Sequence, residues 1–95
     1  MKIDGFDWDD GNWPKCGQHG VSREEIEQVL ADARIAPDPK HSQEEARYIA
    51  VGRNEKGRPI FVAFAVRLRE SQYFIRPISA RYMHAKEVTR YEEST

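Results

Sequence analysis

The spacing of apolar residues along the chain changes period near residue 45. Before it, Ile26, Val29, Leu30 and Ala33 recur at i, i+3, i+4 and i+7, the stripe of a one-sided helix. Ser22 stands where an N-cap is needed and Glu25 lies three residues on, which makes a capping box. Val21 and Ile26 form a hydrophobic staple across the entry. A helix is therefore predicted over 22–33, and Pro37 and Pro39 end any continuation. Upstream, Phe6-Asp7-Trp8-Asp9-Asp10 between Gly5 and Gly11 reads as a short extended edge. Residues 12–18 read as a short helix with Pro14 in its first turn, closed by His19-Gly20.

After residue 45 the pattern is that of strands. Residues 46–51, with Tyr48 and Ile49, form one, and 60–68 form a near-continuous apolar strand, expected to be central and covered on both faces. Residues 73–79 form another, in which Pro77 belongs at an edge or a bulge. Turn-forming residues fill 52–59 and 70–72, short separations that favour antiparallel hairpins. A final helix is predicted over 83–92. The expected fold is α+β: N-terminal helices, a three- to four-stranded antiparallel sheet and a C-terminal helix, in a single domain over 1–95 without repeat or linker.

Composition narrows the class. An apolar fraction of 39% and a mean hydropathy of −0.80 fit a soluble domain. The longest apolar run, Ile60 to Val66, is too short to span a bilayer, and Met1-Lys2-Ile3-Asp4 is too polar for a signal peptide. The expected compartment is the cytoplasm. A single cysteine, Cys16, excludes an internal disulfide framework. The net charge of −1 hides an asymmetry. Residues 1–45 carry 5 Lys/Arg against 11 Asp/Glu, a net of −6; residues 46–95 carry 10 against 5, a net of +5. The basic half suits an anionic partner such as nucleic acid, and the acidic half a basic protein.

The candidate chemistry gathers at the C-terminal end. Arg76 and Arg81 are borne on the last strand. Strand alternation places Arg76 with Phe74 and Ile78, where its guanidinium either clamps a phosphate bidentately, pairs with a carboxylate of the acidic half, or reaches out to water. Arg67 and Arg69 end the central strand, Arg67 with either a catalytic duty or a sheet-end ion pair; Arg47 starts the strand before. His84, Glu87 and Tyr91 share one stripe of the final helix, as either a proton-transfer set or a solvated face. Lys86 and Arg90 make a second, cationic stripe, either plain surface or a track for a nucleic-acid backbone. Cys16 and His19 do not amount to a zinc site, and no metal or other cofactor is expected.

In order and spacing these segments resemble the BrnT family of toxins from bacterial toxin–antitoxin modules. The family's landmarks are an opening Phe-x-Trp-Asp, a Lys-His-Gly before the capped helix, an Arg-x-x-x-Ile/Val-Gly strand, and a late Ile-Ser-Ala-Arg followed by Glu and Tyr. This chain has Phe6-Asp7-Trp8-Asp9, Gln18-His19-Gly20, Arg47 to Gly52, Ile78-Ser79-Ala80-Arg81, Glu87 and Tyr91. The resemblance implies a RelE-like fold and an endoribonuclease neutralised by a BrnA-like antitoxin in a complex of two toxins and two antitoxins, with DNA engaged only through the antitoxin and no membrane involved. It implies a catalytic set of Arg67, Arg76, Arg81, His84, Glu87 and Tyr91, and RNA contacts from Lys15, His19, Arg47, Lys86 and Arg90. In the expected chemistry His84 or Glu87 takes the proton of a ribose 2′-hydroxyl, the arginines stabilise the charged phosphorane, and Tyr91 or Lys86 assists the leaving 5′-oxygen, with no metal. Gln18 departs from the family's lysine, a loss that Lys15 is placed to offset. It also supports an alternative, a RelE-like RNA- or protein-binding module without catalysis. The acidic early residues and the sheet edge are the expected antitoxin contact.

Overall fold

The capping residues act as their spacing predicts. Ser22 Oγ accepts the Glu25 N–H and Glu25 Oε1 accepts the Ser22 N–H, both at 3.1 Å. They start helix α1 (Arg23–Ala31), which buries Ile26, Val29 and Leu30. The molecule is known from a computed structural model that describes residues 3–93, the side chain of Tyr91 excepted. Helix α1 ends two residues before its apolar stripe does, because the chain turns there into a strand.

Five strands make one sheet: β1 (Gly5–Phe6), β2 (Arg34–Pro37), β3 (Arg47–Arg53), β4 (Pro59–Arg69) and β5 (Gln72–Tyr82), in the order β1-β5-β4-β3-β2. The architecture is mixed α+β as expected, with two more edge strands than the three long ones read from the pattern. Strand β2 has all four residues exposed, so it lacks the alternation that marks a strand; it exists through its pairing with β3. Strand β1 shrinks to two residues and runs parallel to β5, whereas the other pairs are antiparallel. Residues 12–18 are turns and a 3-10 turn at Lys15–Gly17, not an α-helix. Pro14 offers no N–H, and Asn12 is spent elsewhere: its Nδ2 donates to the carbonyls of Asp7 and Pro77, 2.9 Å each, and its Oδ1 accepts the Asp9 N–H. The final helix, α2 (Ala85–Glu93), starts two residues later than predicted, since Met83 still donates its N–H to Pro59 O at the sheet end.

The decisive irregularity is in β5. Ala63 lies opposite Ser79, but Phe64 lies opposite Pro77, so Ile78 is an extra residue, a bulge beside the proline. Directly opposed residues share a face of the sheet. Before the bulge Ile75 and Pro77 face α1; after it Ala80 and Tyr82 do. With Tyr48, Ala50, Ile60, Val62 and Phe64 they form the floor of the core, into which Val21, Ile26, Val29, Leu30 and Cys16 pack. At Gly52 the helix comes so close that a Cβ would sit 3.1 Å from Val29 Cγ1. Strand β4 is central, as expected, but only α1 covers it with a layer of structure. On its other face Ala65, fully buried, is flanked by Arg47 and Arg76.

The β4–β5 hairpin closes through two residues, Glu70 and Ser71, with φ of 50° and 67°. Such two-residue loops favour Asn-Gly, because left-handed backbone costs other residues about 1 kcal/mol or more. Replacing the pair by Glu70→Asn and Ser71→Gly is therefore expected to raise stability by about 1 kcal/mol. The change would be read as a higher denaturation midpoint with unchanged slope.

Candidate functional site

In a regular strand Arg76 and Arg81, five residues apart, would point to opposite faces. The extra residue Ile78 brings both to the face away from α1. Arg47 on β3 and Arg67 on β4 share it. Arg47, Ala65 and Arg76 form one cross-strand row, so the two arginine stems rise about 10 Å apart over a small residue. Arg67 is next along β4 and Arg81 stands opposite Phe61. Ala63, Ala65 and Ser79 keep the floor between them shallow.

Carboxylates hold most of these cations. Arg76 forks onto Asp9, with both Nη···Oδ distances 3.0 Å, and lies 3.5 Å from Asp7 Oδ2. The same Asp7 oxygen accepts Arg69 Nη2 at 3.0 Å, so a nearly buried carboxylate is shared by two arginines, which compensate its lost hydration. The Arg76 guanidinium draws the Asp9 carboxyl below its ordinary range, and Asp9 in turn raises Arg76. Arg81 forks onto Glu87, both contacts 2.7 Å, with its guanidinium 4.7 Å from the Phe61 ring centre. Glu87 Oε1 also accepts the His84 N–H at 2.9 Å, half of a capping box for α2. Arg81 first, then that N–H, pull the Glu87 carboxyl down to about 2. Glu87 is therefore ionised at neutral pH and has little affinity for a proton.

Arg67 donates Nη2 to Glu45 Oε1 at 3.2 Å. Its Nε is 3.0 Å from Glu45 Oε2 but lacks hydrogen-bond alignment, so that buried N–H goes unsatisfied. Arg47 has no carboxylate partner among the described residues, and its buried Nε has no acceptor. Two guanidinium N–H groups on neighbouring strands, facing the same way, thus lack a hydrogen-bond acceptor, although Arg67 stays ion-paired with Glu45.

The face unites Arg47, Arg67, Arg76, Arg81 and Glu87. His84 sits exposed at its rim, where α2 begins, and Lys86 and Arg90 are exposed on α2. The side chain of Tyr91 lies outside the described residues. Lys15 and His19 are exposed near the start of α1; the His19 ring meets the Gln18 amide at 3.5 Å, and no hydrogen bond or ion pair among the described residues joins either to the arginines. Cys16 is buried in the core, and burial pushes its thiol up. Among the described residues no group of His, Cys, Asp and Glu is arranged to hold a metal ion, and no helix is long and apolar enough to cross a membrane. Sequence reasoning missed the carboxylates Asp7, Asp9 and Glu45. Asp7 and Asp9 alternate around Trp8 and were open to notice; Glu45, beside Glu44 in the loop before β3, carried no mark.

Comparison with known families gives one finding. The family model described as ribonuclease toxin, BrnT, of type II toxin-antitoxin system matches residues 8–87. The matched span includes Asp9, Arg47, Arg67, Arg76, Arg81, His84 and Glu87 and leaves out Arg90 and Tyr91. No curated protein matches the chain.

The Glu87 carboxyl predicts a pH dependence. Its folded value lies below the unfolded one, so the Arg81–Glu87 pair stabilises above about pH 4.5 and that contribution is lost as pH falls toward about 2. Glu87→Gln is expected to cost on the order of 1 kcal/mol near neutral pH, since the pair is partly solvated. Denaturation midpoints of the two proteins should converge as pH falls to about 2; a gap that stays constant with pH would contradict the pairing.

Proposed function

We propose, since the chain belongs to the BrnT family of ribonuclease toxins of type II toxin–antitoxin systems, that it is an endoribonuclease with a RelE-like fold that cuts RNA on the arginine face. The observation that carries the reading is the gathering of Arg47, Arg67, Arg76 and Arg81 on one face of three adjacent strands, with the Nε donors of Arg47 and Arg67 unsatisfied. A phosphate oxygen would satisfy both.

RNA lies across β3, β4 and β5 toward α2. Arg47 anchors the phosphate. His84, exposed where α2 begins, takes the proton of the ribose 2′-hydroxyl; Glu87, held ionised by Arg81, is too weak a base and instead positions that guanidinium. The 2′-oxygen attacks phosphorus, the bond to the 5′-oxygen breaks, and Arg67, Arg76 and Arg81 stabilise the doubly charged phosphorane between. Lys86 or Tyr91 supplies the leaving oxygen's proton, and Arg90 continues the cationic track along the helix. Lys15 and His19 contact RNA beyond the cut site. The arginines do the work that a metal does in other nucleases, so none is needed. A BrnA-like antitoxin, two per two toxins, neutralises the activity and makes the contact to DNA.

One observation favours a binding module without catalysis: Arg67, Arg76 and Arg81 already hold carboxylates. Growth and total RNA on induced expression separate the two. The wild type should arrest growth and deplete RNA, while Arg67→Ala, Arg76→Ala and Arg81→Ala should each lower cleavage about 10²–10³-fold, the usual worth of one transition-state donor. Wild-type toxicity in all three would remove the site assignment; harmless, folded wild-type protein would favour the binding module.

A further inference from the structure

The inner face of the sheet is only partly covered. Five strands at about 4.8 Å spacing present a face about 20 Å wide, and a helix is about 10 Å across. Helix α1 packs over β3 and β4 on this face and the 3-10 turn at Lys15–Gly17 over β5, and a groove of about 720 Å³ is left beside the C-terminal end of α1. Tyr48, Phe64 and Val66 line the groove, and Ile35 on β2 closes it on one side. The apolar strip runs on past it: Leu68 and Tyr73, opposite each other near the hairpin tip, share the face of Val66 and Ile75. Ile35, Leu68 and Tyr73 are the large hydrophobic residues left exposed among those described, at 53%, 62% and 40%, and all three lie on this face. Exposed apolar residues scattered singly carry no meaning, but a contiguous strip marks an interaction surface.

Charge identifies the kind of partner. Asp4 and Asp32 line the groove, and the C-terminal end of α1, with its negative dipole, opens onto it. Asp32 is exposed and has no ion pair among the described residues. A second copy of the chain would bring the same carboxylates against these, which disfavours self-association. A basic partner meets no such penalty.

We propose that this uncovered part of the inner face is the antitoxin's docking site. Its occupant is an amphipathic helix that lays apolar residues on Phe64, Val66 and Leu68, sets lysines or arginines against Asp4 and Asp32, and so completes the helical layer beside α1. The site lies on the face opposite the arginines, so the helix itself leaves them uncovered; inhibition then requires the antitoxin to reach around the sheet edge. The proposal rests on reading the chain as the toxin of a type II pair.

The test is co-expression of the full chain with the product of the reading frame adjacent to its own gene, followed by affinity measurement on the purified pair. Three forms are compared: wild type, the Ile35→Lys/Leu68→Lys double variant, and Arg67→Ala on the opposite face. Both changed residues of the double variant are more than half exposed, so it should fold, melt as the wild type does and keep its RNA cleavage. The double variant is expected to bind about 100-fold more weakly, and Arg67→Ala as tightly as wild type. Equal binding by all three forms would overturn the docking site and leave the toxin reading intact. A wild-type protein that self-associates through this face, and is split by the double variant, would give the face to a second copy and overturn the proposal. No complex with the wild type would overturn the toxin–antitoxin reading itself and the proposal with it.

Discussion

A single extra residue, Ile78, decides what this sheet presents. Without it the last strand would carry Arg76 outward and Arg81 into the core, or the reverse. With it, Ile75, Pro77, Ala80 and Tyr82 all meet the helix side, and both arginines meet the open side. Pro77, which cannot donate to a ladder, sits next to the irregularity and joins the sheet to the N-terminal segment through the Asn12 amide. The core and the site thus depend on one feature: the displacement that lets the core close is also what assembles the cationic face.

Gathering cations raises a second constraint. Guanidiniums gathered on one face repel one another unless opposite charges intervene. The chain supplies these from three separate places: Asp7 and Asp9 after β1, Glu45 before β3, and Glu87 on α2. Each fork fixes a planar group in orientation, and in the proposed reaction donors already aimed would need no rearrangement when charge appears. The arrangement also explains the charge asymmetry between the halves. Asp7, Asp9 and Glu45 of the acidic half are folded back onto arginines of the basic half, while Asp32 lies beside the groove on the opposite face.

How much of this could be read in the sequence depends on the range of the interaction. Local chemistry was legible: Ser22 and Glu25 fix the start of α1, and the apolar run around Ile60 to Val66 marks the central strand. The irregularity at Pro77 could be read because proline removes a donor. Features made by distant partners could not. Strand β2 has no alternation and exists through β3; β1 is two residues long and pairs in parallel with β5. The faces of β5 could not be assigned beyond the bulge from alternation alone, so the company of Arg81 was hidden while Arg67, Arg76 and Arg81 were still recognisable as candidates. Glu87 was a candidate base by residue type, and its fork with Arg81, which holds the carboxylate ionised, could not be read from that type.

The most direct test is incubation of the purified chain, in the presence of a chelator, with an RNA it cuts and with the same RNA carrying a single 2′-deoxy sugar on the 5′ side of the cut. The account predicts cleavage of the first to a fragment ending in a 2′,3′-cyclic phosphate or its hydrolysis product, and an intact second. Cleavage of the deoxy substrate at the same bond, or dependence of the first reaction on an added metal ion, would contradict it.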